Sequence, residues 1–470
     1  MAHTFFFYDL ETSGLNARTQ RIMQFAGQRT DANLKPIGDP VNVLVKLSDD
    51  ILPEPFAITV TGITPQATLA DGMSEPEFAK LLIQEIFTSS TIAVGYNNVR
   101  FDDEFVRHTL WRNFYDPYEW AWSEGRGRWD MLDVVRLTRA LRPDGIEWPV
   151  DNNGKATNRL ELVAKANNLL HTKAHDALSD VEALIAMAQL LHQKQPKLFD
   201  YMFSLRGKNE VAKLVNLNSP QPFVYSSGRY GPEHQFTTVA YPIAPGTRPN
   251  SVIVYDLRFD PTQFASASPQ ALASILLADK RTRMQDSFTP LPVKELTYNK
   301  CPAVAPLGVL DTISQERLHI SMELIQKNLQ ALQQNPTFGE AVRTAYEMRE
   351  PYDKSTDVEN QLYDSFIPDK DKIYMDAVRK ASANDLADFH PNFIDVRMSE
   401  LLLRYKARWF SDSLSEDEHL AWEKYRAMKI SAELPGYLQT LTKLAESSKD
   451  TYVLEELQLW AESIAPSGED

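Results

Sequence analysis

The sequence predicts an α/β domain at its amino-terminal end, followed by a small β domain with helices and then by an all-helical domain. Strand-like and helix-like apolar patterns alternate over residues 1–195, which indicates a sheet covered by helices. Prolines punctuate short alternating runs over residues 196–350, and helical periodicity dominates from residue 351 onward. We therefore predict domain boundaries at 195/196 and 350/351.

The amino-terminal region combines strand candidates with helix candidates. The strand candidates are short runs rich in aromatic and branched apolar residues: Thr4–Leu10, Ile22–Thr30, Val41–Lys46 and Thr91–Tyr96. The helix candidates carry apolar residues three and four positions apart: Glu75–Phe87, Asp103–Phe114, Asp130–Ala140, Arg159–Asn167 and Ala177–His192. Pro196 ends the last of these, because the residue before a proline avoids helical geometry.

Strand candidates return in the middle region, and helices occupy the rest of the chain. The middle region has strand candidates at Phe223–Ser226, Thr237–Tyr241, Ser251–Asp256 and Val293–Tyr298, then helix candidates at Ser314–Gln334 and Phe338–Met348. The last region has helix candidates at Asp371–Ser382, Pro391–Arg408, Glu416–Ile430, Leu434–Ser447 and Thr451–Ser463. We expect Pro435 in the first turn of its helix, where its missing amide hydrogen costs nothing.

Composition and charge limit the classes of function. The 470 residues carry a formal net charge of −15, which lowers the expectation of a nucleic-acid partner unless basic groups line one cleft. Cys301 is the single cysteine, so the chain has no internal disulfide and no paired-cysteine metal site, which favours a cytoplasmic location. We expect Cys301 to be a buried small apolar residue. No apolar run approaches the roughly 20 residues of a membrane helix.

Two acids stand near the end of the first predicted strand, in the segment Phe7–Thr12. Residues two positions apart on a strand point to the same side, so Asp9 and Glu11 would share one face. Burying two like charges there is costly unless a positive group lies between them. The alternative is that the strand ends at Tyr8 and that both acids are solvated in a turn.

A third acid follows the strand predicted to end at Tyr96. Asp102 would lie beyond the carboxyl end of that strand, where α/β sheets place their ligands. The alternative is that Asp102 is an ordinary N-cap of the next helix, a position that aspartate favours.

A histidine and a fourth acid occur in the segment His175–Asp180. Leu178, Val181 and Ile185 form the apolar stripe of a helix, which puts Asp180 in its first turns. His175 precedes that helix on a loop. The alternative for His175 is a surface residue or the partner of an acid.

Together these residues resemble the DEDD exonuclease superfamily, in the subgroup that carries a histidine. The match consists of four carboxylates and one imidazole in the family's order: Asp9, Glu11, Asp102, His175 and Asp180. The family's histidine lies five residues before the last acid, as His175 does before Asp180. Thr61–Thr64 resembles the segment that flanks the terminal nucleotide in these enzymes, and Trp129–Val134 resembles the family's inner helix.

Longer segments resemble the bacterial exonuclease I family over nearly the whole chain. They are Gly95–Glu104, Arg112–Tyr118, Pro196–Tyr201 and Asn299–Pro302. The resemblance implies a ribonuclease-H-like exonuclease domain, an SH3-like domain and a helical domain, in the order of the three predicted regions. It also implies a monomer that degrades single-stranded DNA from the 3′ end to 5′-mononucleotides in DNA repair and recombination. A single-stranded-DNA-binding protein is the implied partner, docking through its acidic tail.

The acids predict a metal-dependent mechanism. Carboxylate oxygens suit Mg²⁺, and two such ions about 4 Å apart can clamp the attacking and leaving oxygens of an in-line displacement. We predict that Asp9, Glu11, Asp102 and Asp180 bind two Mg²⁺ ions, with Mn²⁺ as a substitute and Asp102 acting directly or through a water. His175 would take the proton from the attacking water, a contribution of roughly 10²–10⁴-fold.

The substrate strand requires its own contacts. Proteins hold single strands by stacking bases on aromatic rings and by placing cations along a groove. The candidate substrate residues are Glu11, Arg107, Tyr118, Trp122, Arg136, Arg159 and Tyr201. Arg159 is the best candidate for a phosphate contact, and Ser226–Tyr230 is a candidate DNA-facing loop. The alternative is that these aromatic residues belong to the core and that the loop is only a turn.

Other functions explain fewer of these residues. A related RNA-trimming or proofreading exonuclease would share the five site residues. A catalytically inactive nucleic-acid-binding scaffold would be expected to lack at least one of them. A glycosidase needs two carboxylates and leaves the other three residues unexplained. The phosphate-binding patterns GxGxxG and GxxxxGK[ST] do not occur.

Overall fold

The computed structural model of the chain describes residues 3–169, 177–350, 354–447 and 451–466. These residues form two compact units. The first contains the described residues of 1–127, 171–182 and 354–470, and the second those of 128–170 and 183–353. The predicted domain boundaries at 195/196 and 350/351 stay a prediction. Every helix within the described ranges is too short or too polar to cross a membrane.

A mixed sheet forms the frame of the first unit. Its strands are β1 (Thr4–Thr12), β2 (Ile22–Thr30), β3 (Val41–Leu44) and β4 (Thr91–Gly95), and β5 (Gly127–Asp130) follows at the change to the second unit. The strand order β3-β2-β1-β4 makes β1 an interior strand. It pairs antiparallel with β2, with Asp9 opposite Ala26 and Glu11 opposite Gln24, and parallel with β4.

The two faces of β1 carry different side chains. Phe6, Tyr8 and Leu10 pack into a core that also contains Phe25 and Phe78. Asp9 and Glu11 alternate with them and therefore lie on the opposite face. The alternative that the strand ends at Tyr8 is wrong, because the ladder to β2 continues through Thr12.

Five of the helices in the first part of the chain begin within one residue of their predicted positions, and the two that lie before residue 72 were not among the predicted helices. The helices up to residue 194 are α1 (Pro55–Thr61), α2 (Pro65–Asp71), α3 (Glu75–Leu81), α4 (Asp102–Arg112), α5 (Met131–Leu141), α6 (Leu160–Ala166) and α7 (Ala177–Lys194). A π-helical turn at Leu82–Ile86 continues α3, so the predicted helix Glu75–Phe87 changes its winding partway. Because Pro196 follows α7 closely, that helix ends at Lys194.

The second unit contains an antiparallel sheet with the strand order β10-β6-β7-β8-β9. The strands are β6 (Phe223–Ser226), β7 (Thr237–Pro245), β8 (Ser251–Asp256), β9 (Val293–Thr297) and β10 (Ala303–Pro306). The helices are α8 (Pro196–Ser204), α9 (Lys208–Leu214), α10 (Thr262–Ala265), α11 (Pro269–Leu276), α12 (Lys280–Arg283), α13 (Thr312–Arg317), α14 (Met322–Gln333) and α15 (Phe338–Glu347). Cys301 is buried as predicted, and its thiol donates to the carbonyl oxygen of Arg128 at 3.3 Å.

One predicted helix of the second unit is interrupted. The predicted span Ser314–Gln334 is divided into α13 and α14, because His319 adopts a left-handed backbone with φ 52°. The buried side chains of Leu318 and Ile320 flank this turn. Ser321 then caps α14, with its hydroxyl accepting from the amide of Leu324 at 3.3 Å.

The carboxy-terminal helices belong to the first unit. They are α16 (Asp369–Lys380), α17 (Ala383–Ala387), α18 (Val396–Trp409), α19 (Glu416–Ser447) and α20 (Tyr452–Ile464). The prediction of separate helices at Glu416–Ile430 and Leu434–Ser447 is wrong, since α19 runs through Pro435. Packing explains the continuity: Ile430 and Tyr437, on either side of the proline, share a buried cluster with Trp460 of α20. That burial offsets the roughly 3 kcal/mol cost of an interior proline.

Candidate active site

Three carboxylates from two elements converge on one point of the first unit. Asp9 and Glu11 lie on β1, and Asp180 lies in the first turn of α7. Each offers a ligand atom, and these atoms all lie within 4.8 Å of one another. All three side chains are half-buried, so the pocket they form is open to solvent on one side.

Asp102 adds a fourth negative charge to this pocket. It is the first residue of α4 and is only 5% exposed. Phe101 holds the N-cap position, so the alternative that Asp102 is an ordinary N-cap is wrong. After burial, the charge of Asp102 is the largest cause of the raised pKa of Asp9. Asp102 therefore lies close to Asp9, although it is outside the three-residue cluster of ligand atoms.

The electrostatics of the pocket favour a cation. Burial, followed by the charges of Asp102, Glu11 and Asp180, raises the pKa of Asp9 well above its usual range. Burial and the charge of Asp180 raise the pKa of Glu11 to about 7. Several carboxylates that raise one another's pKa values are stabilised together only when a positive charge lies among them. This set of hard oxygen donors fits a divalent metal ion.

Metal binding at this pocket is expected to depend on pH through Glu11. Below pH 7 its carboxyl group is largely protonated, and a metal ion must displace that proton. We therefore expect the affinity for a divalent metal ion to increase from pH 6 to pH 8. Calorimetric titrations in buffers of different ionisation enthalpy would show proton release at pH 6 that falls towards pH 8.5. The same release in Glu11→Gln would contradict the assignment to Glu11.

The turn after β1 is fixed by contacts with the segment before α1. The amide of Glu54 donates to the carbonyl oxygen of Ser13 at 2.6 Å, and the amide of Leu15 donates to Oε1 of Glu54 at 3.2 Å. A Cβ atom at Gly14 would lie 2.5 Å from Cδ of Glu54, so a larger residue there would displace the Glu54 side chain from this turn. This turn holds the end of β1, and with it Glu11, against the start of α1.

The turn after β1 and the start of α1 carry exposed apolar residues that the sequence did not single out. Leu15 follows Glu11 by four positions and is 75% exposed, and Phe56, the second residue of α1, is 69% exposed. Periodicity cannot distinguish such exposed apolar residues from core residues, so the sequence gives no signal for them. Tyr8 and Asp103, the immediate neighbours of Asp9 and Asp102, are both fully buried.

Two of the predicted substrate arginines are engaged within the protein. Arg107 pairs with Glu104 at 2.9 Å, and Arg136 pairs with Asp133 at 2.8 Å, with 13% and 16% of their side chains exposed. Arg159, the N-cap residue of α6, is 71% exposed and pairs with the neighbouring Glu161. Of these three, Arg159 is the most accessible to a phosphate group.

The residues predicted to stack on bases also differ in how far their side chains are exposed. Tyr118 and Tyr201 are half-buried, and their hydroxyl groups donate to the carbonyl oxygens of Leu362 at 3.4 Å and Val304 at 3.1 Å. Trp122 is 67% exposed, so its ring is available to a base. His175, the predicted general base, lies outside the described residues.

A cluster of carboxylates on an α/β sheet suits the metal-dependent hydrolysis of a phosphate ester. Family models agree along the chain. Residues 6–188 match an exonuclease domain, residues 206–348 the exonuclease I SH3-like domain, and residues 356–464 the exonuclease I C-terminal domain. The predicted fold class is therefore confirmed.

Individual relatives match at full length. The exodeoxyribonuclease I of Haemophilus influenzae is 40% identical, over 95% of this chain and 95% of the relative. The structure of exonuclease I from Methylocaldum szegediense superposes with a TM-score of 0.93 at 38% identity, covering 99% of this chain and 100% of that chain. Escherichia coli exonuclease I with a dA16 oligonucleotide gives a TM-score of 0.95 at 37% identity, covering 98% and 100%. The chain belongs to the exonuclease I family.

Proposed function

We propose that this chain is an exodeoxyribonuclease that hydrolyses single-stranded DNA from its 3′ end and releases 5′-mononucleotides. The observation that carries the proposal is the convergence of Asp9, Glu11 and Asp180, whose ligand atoms lie within 4.8 Å of one another. Full-length similarity to exonuclease I structures with dA16 and dT13 oligonucleotides supports DNA as the substrate. A role in DNA repair and recombination follows from that activity.

The metal ion that we propose for this site is Mg²⁺, bound by Asp9, Glu11 and Asp180, with Asp102 directly or through a water. Carboxylate oxygens are the ligands that Mg²⁺ prefers, and Mn²⁺ accepts the same ligands. A zinc-bound E. coli exonuclease I complex with single-stranded DNA supports a metal site in the family. When bound, divalent ions stabilise the charge that develops on a scissile phosphate and lower the pKa of an attacking water.

The protein's own residues then have separate tasks. The carboxylates hold the metal and fix it relative to the end of β1, where the terminal phosphodiester would lie. Glu11 also borders the substrate, in line with its predicted double role. Trp122 and Arg159 supply an exposed ring and an exposed guanidinium group for the strand. Arg107, Tyr118, Arg136 and Tyr201 remain candidate contacts for the strand.

We assign the general base to His175, from the family resemblance. It would accept the proton of the attacking water, and general bases contribute roughly 10²–10⁴-fold. Replacing His175 with alanine is therefore expected to reduce kcat at least about tenfold without changing Mg²⁺ binding. Single-turnover hydrolysis and calorimetric Mg²⁺ titration measure the two quantities. A smaller reduction in kcat would remove His175 from this role.

Digestion of end-labelled oligonucleotides tests the proposed activity, polarity and substrate together. With a 5′-labelled single strand and Mg²⁺, we expect a ladder of products that shorten from the 3′ end and no activity with EDTA. Matched duplex DNA and RNA serve as comparison substrates. Faster degradation of RNA would favour the RNA-trimming alternative, and binding without degradation would favour an inactive scaffold.

A single-stranded-DNA-binding protein is the partner that we propose. One related structure is described as SSB/exonuclease I with an inhibitor, which supports this pairing. The cytoplasmic location and the monomeric state stay predictions.

A further inference from the structure

A buried hydrogen bond lies directly behind the carboxylate pocket. The hydroxyl group of Tyr8 donates to Oδ1 of Asp103 at 2.5 Å. Nδ2 of Asn98 donates to the same carboxylate oxygen at 3.2 Å. Tyr8, Asn98 and Asp103 each have 0% of their surface exposed. A buried carboxylate that accepts two hydrogen bonds holds both donors more firmly than a neutral acceptor would.

Each member of this pair is the chain neighbour of a site acid. Tyr8 precedes Asp9 on β1, and Asp103 follows Asp102 at the start of α4. Successive residues on a strand point to opposite faces, so the ring of Tyr8 lies behind the sheet while Asp9 faces the pocket. The hydrogen bond therefore joins the two backbone segments that present Asp9 and Asp102.

Asn98, the third residue of this hydrogen-bond network, connects it to strand β4. Asn98 follows β4 in a tight turn, in which Asn97 adopts φ 72°. Gly95 ends β4 where a Cβ atom would lie 2.5 Å from Cβ of Asn98. Through Asp103, the middle of β1, the turn after β4 and the start of α4 are thus held together by buried side chains.

We propose that Tyr8 and Asp103 are positioning residues, which set the separation of Asp9 and Asp102 and thereby metal affinity and turnover. This inference rests on the proposed function for turnover, but its effect on metal binding can be measured without nuclease activity. Two like-charged acids tend to move apart, so a fixed hydrogen bond behind them is needed to keep them together without metal. A displacement of about 1 Å can reduce turnover about 10²-fold.

Replacing Tyr8 with phenylalanine tests this role with little change in packing. The ring contacts of Tyr8 with Phe25 and Phe87, each 5.9 Å between centroids, remain possible for phenylalanine. We expect Tyr8→Phe to weaken Mn²⁺ binding about tenfold, by electron paramagnetic resonance, and to reduce kcat 10- to 100-fold. KM for a single-stranded oligonucleotide is expected to change less than about twofold, because the pair does not face the strand.

Tyr425→Phe is the matched control. The hydroxyl group of Tyr425 also donates to a carboxylate, Oδ2 of Asp357 at 3.1 Å, in the same unit. We expect this variant to lose thermal stability while Mn²⁺ binding and kcat stay within twofold of wild type. Equal effects of the two variants on Mn²⁺ binding would overturn the proposal, because the loss would then reflect stability alone.

A double variant tests whether the pair acts as one unit. In Asp103→Asn the amide oxygen can still accept from Tyr8, so we expect it to retain Mn²⁺ affinity better than Tyr8→Phe does. Tyr8→Phe combined with Asp103→Asn is expected to lose no more Mn²⁺ affinity than the more affected single variant. Losses that multiply would overturn the proposal. A wild-type protein that binds Mn²⁺ but lacks nuclease activity would refute the proposed function alone.

Discussion

The Asp9→Asn variant is expected to lose at least about 10³-fold in kcat for single-stranded DNA, the largest effect on activity that the site predicts. Asp9 belongs to the three-residue cluster of ligand atoms and also faces Asp102, so its loss affects every proposed ligand. The measurement is single-turnover hydrolysis at saturating Mg²⁺. Asp39→Asn, at an exposed position of the same unit, is the control and should keep full activity.

The same variant is expected to be more stable than wild type when metal is absent. Because the pKa of Asp9 is raised in the folded protein, its ionisation there is less favourable than in the unfolded chain. Its contribution to stability is therefore present at low pH and is lost as pH rises through the range between the two pKa values. Thermal unfolding in EDTA should show a higher Tm for Asp9→Asn at pH 8 and little difference at pH 4. An equal or lower Tm at pH 8 would contradict the repulsion inferred among these carboxylates.

The Glu359→Ala variant is expected to lose about 3–5 kcal/mol of unfolding free energy, the largest effect on stability. Glu359 is fully buried, accepts a hydrogen bond from Arg21 at 2.6 Å and forms ion pairs with Arg408 at 2.5 Å and with Arg404 at 3.6 Å. These arginines hold the pKa of its carboxyl group below the usual range. Removing the carboxylate leaves their buried positive charges without that partner.

Denaturant unfolding measures this loss and separates it from surface effects. Lys380→Ala, which removes an exposed pair with Asp376 at 2.6 Å, is the control and should cost less than about 1 kcal/mol. If Glu359→Ala lost no more unfolding free energy than Lys380→Ala, the role of the buried ion cluster would be contradicted. The cluster also supports the active site, since the amide of Arg21 donates to the hydroxyl of Ser13 in the turn after β1 at 2.8 Å.

Local sequence patterns predicted the elements that carry the site. The apolar run Thr4–Leu10 predicted a strand, the two-residue spacing of Asp9 and Glu11 predicted that these acids share one face, and β1 has both features. Strands β2, β6 and β8 match their predicted bounds. These features depend on neighbouring residues, so they can be recognised from a short window of sequence.

Features that depend on distant residues could not be predicted in this way. The continuity of α19 through Pro435 depends on packing against Trp460 of α20. Arg21 and Glu359 are 338 positions apart, and no local pattern indicates that they form a buried pair. The hydrogen bond between Tyr8 and Asp103 could not be predicted either, because the two residues are 95 positions apart. Each of them nevertheless adjoins an acid that the sequence analysis singled out.

The central claim is that Asp9, Glu11, Asp102 and Asp180 surround a divalent metal. A crystal structure of the protein soaked with Mn²⁺, with anomalous diffraction data, tests it most directly. We expect an anomalous peak within ligand distance of Asp9, Glu11 and Asp180, with Asp102 facing it directly or through a water. The absence of a peak among these side chains at saturating Mn²⁺, or a peak bound only elsewhere, would contradict the claim.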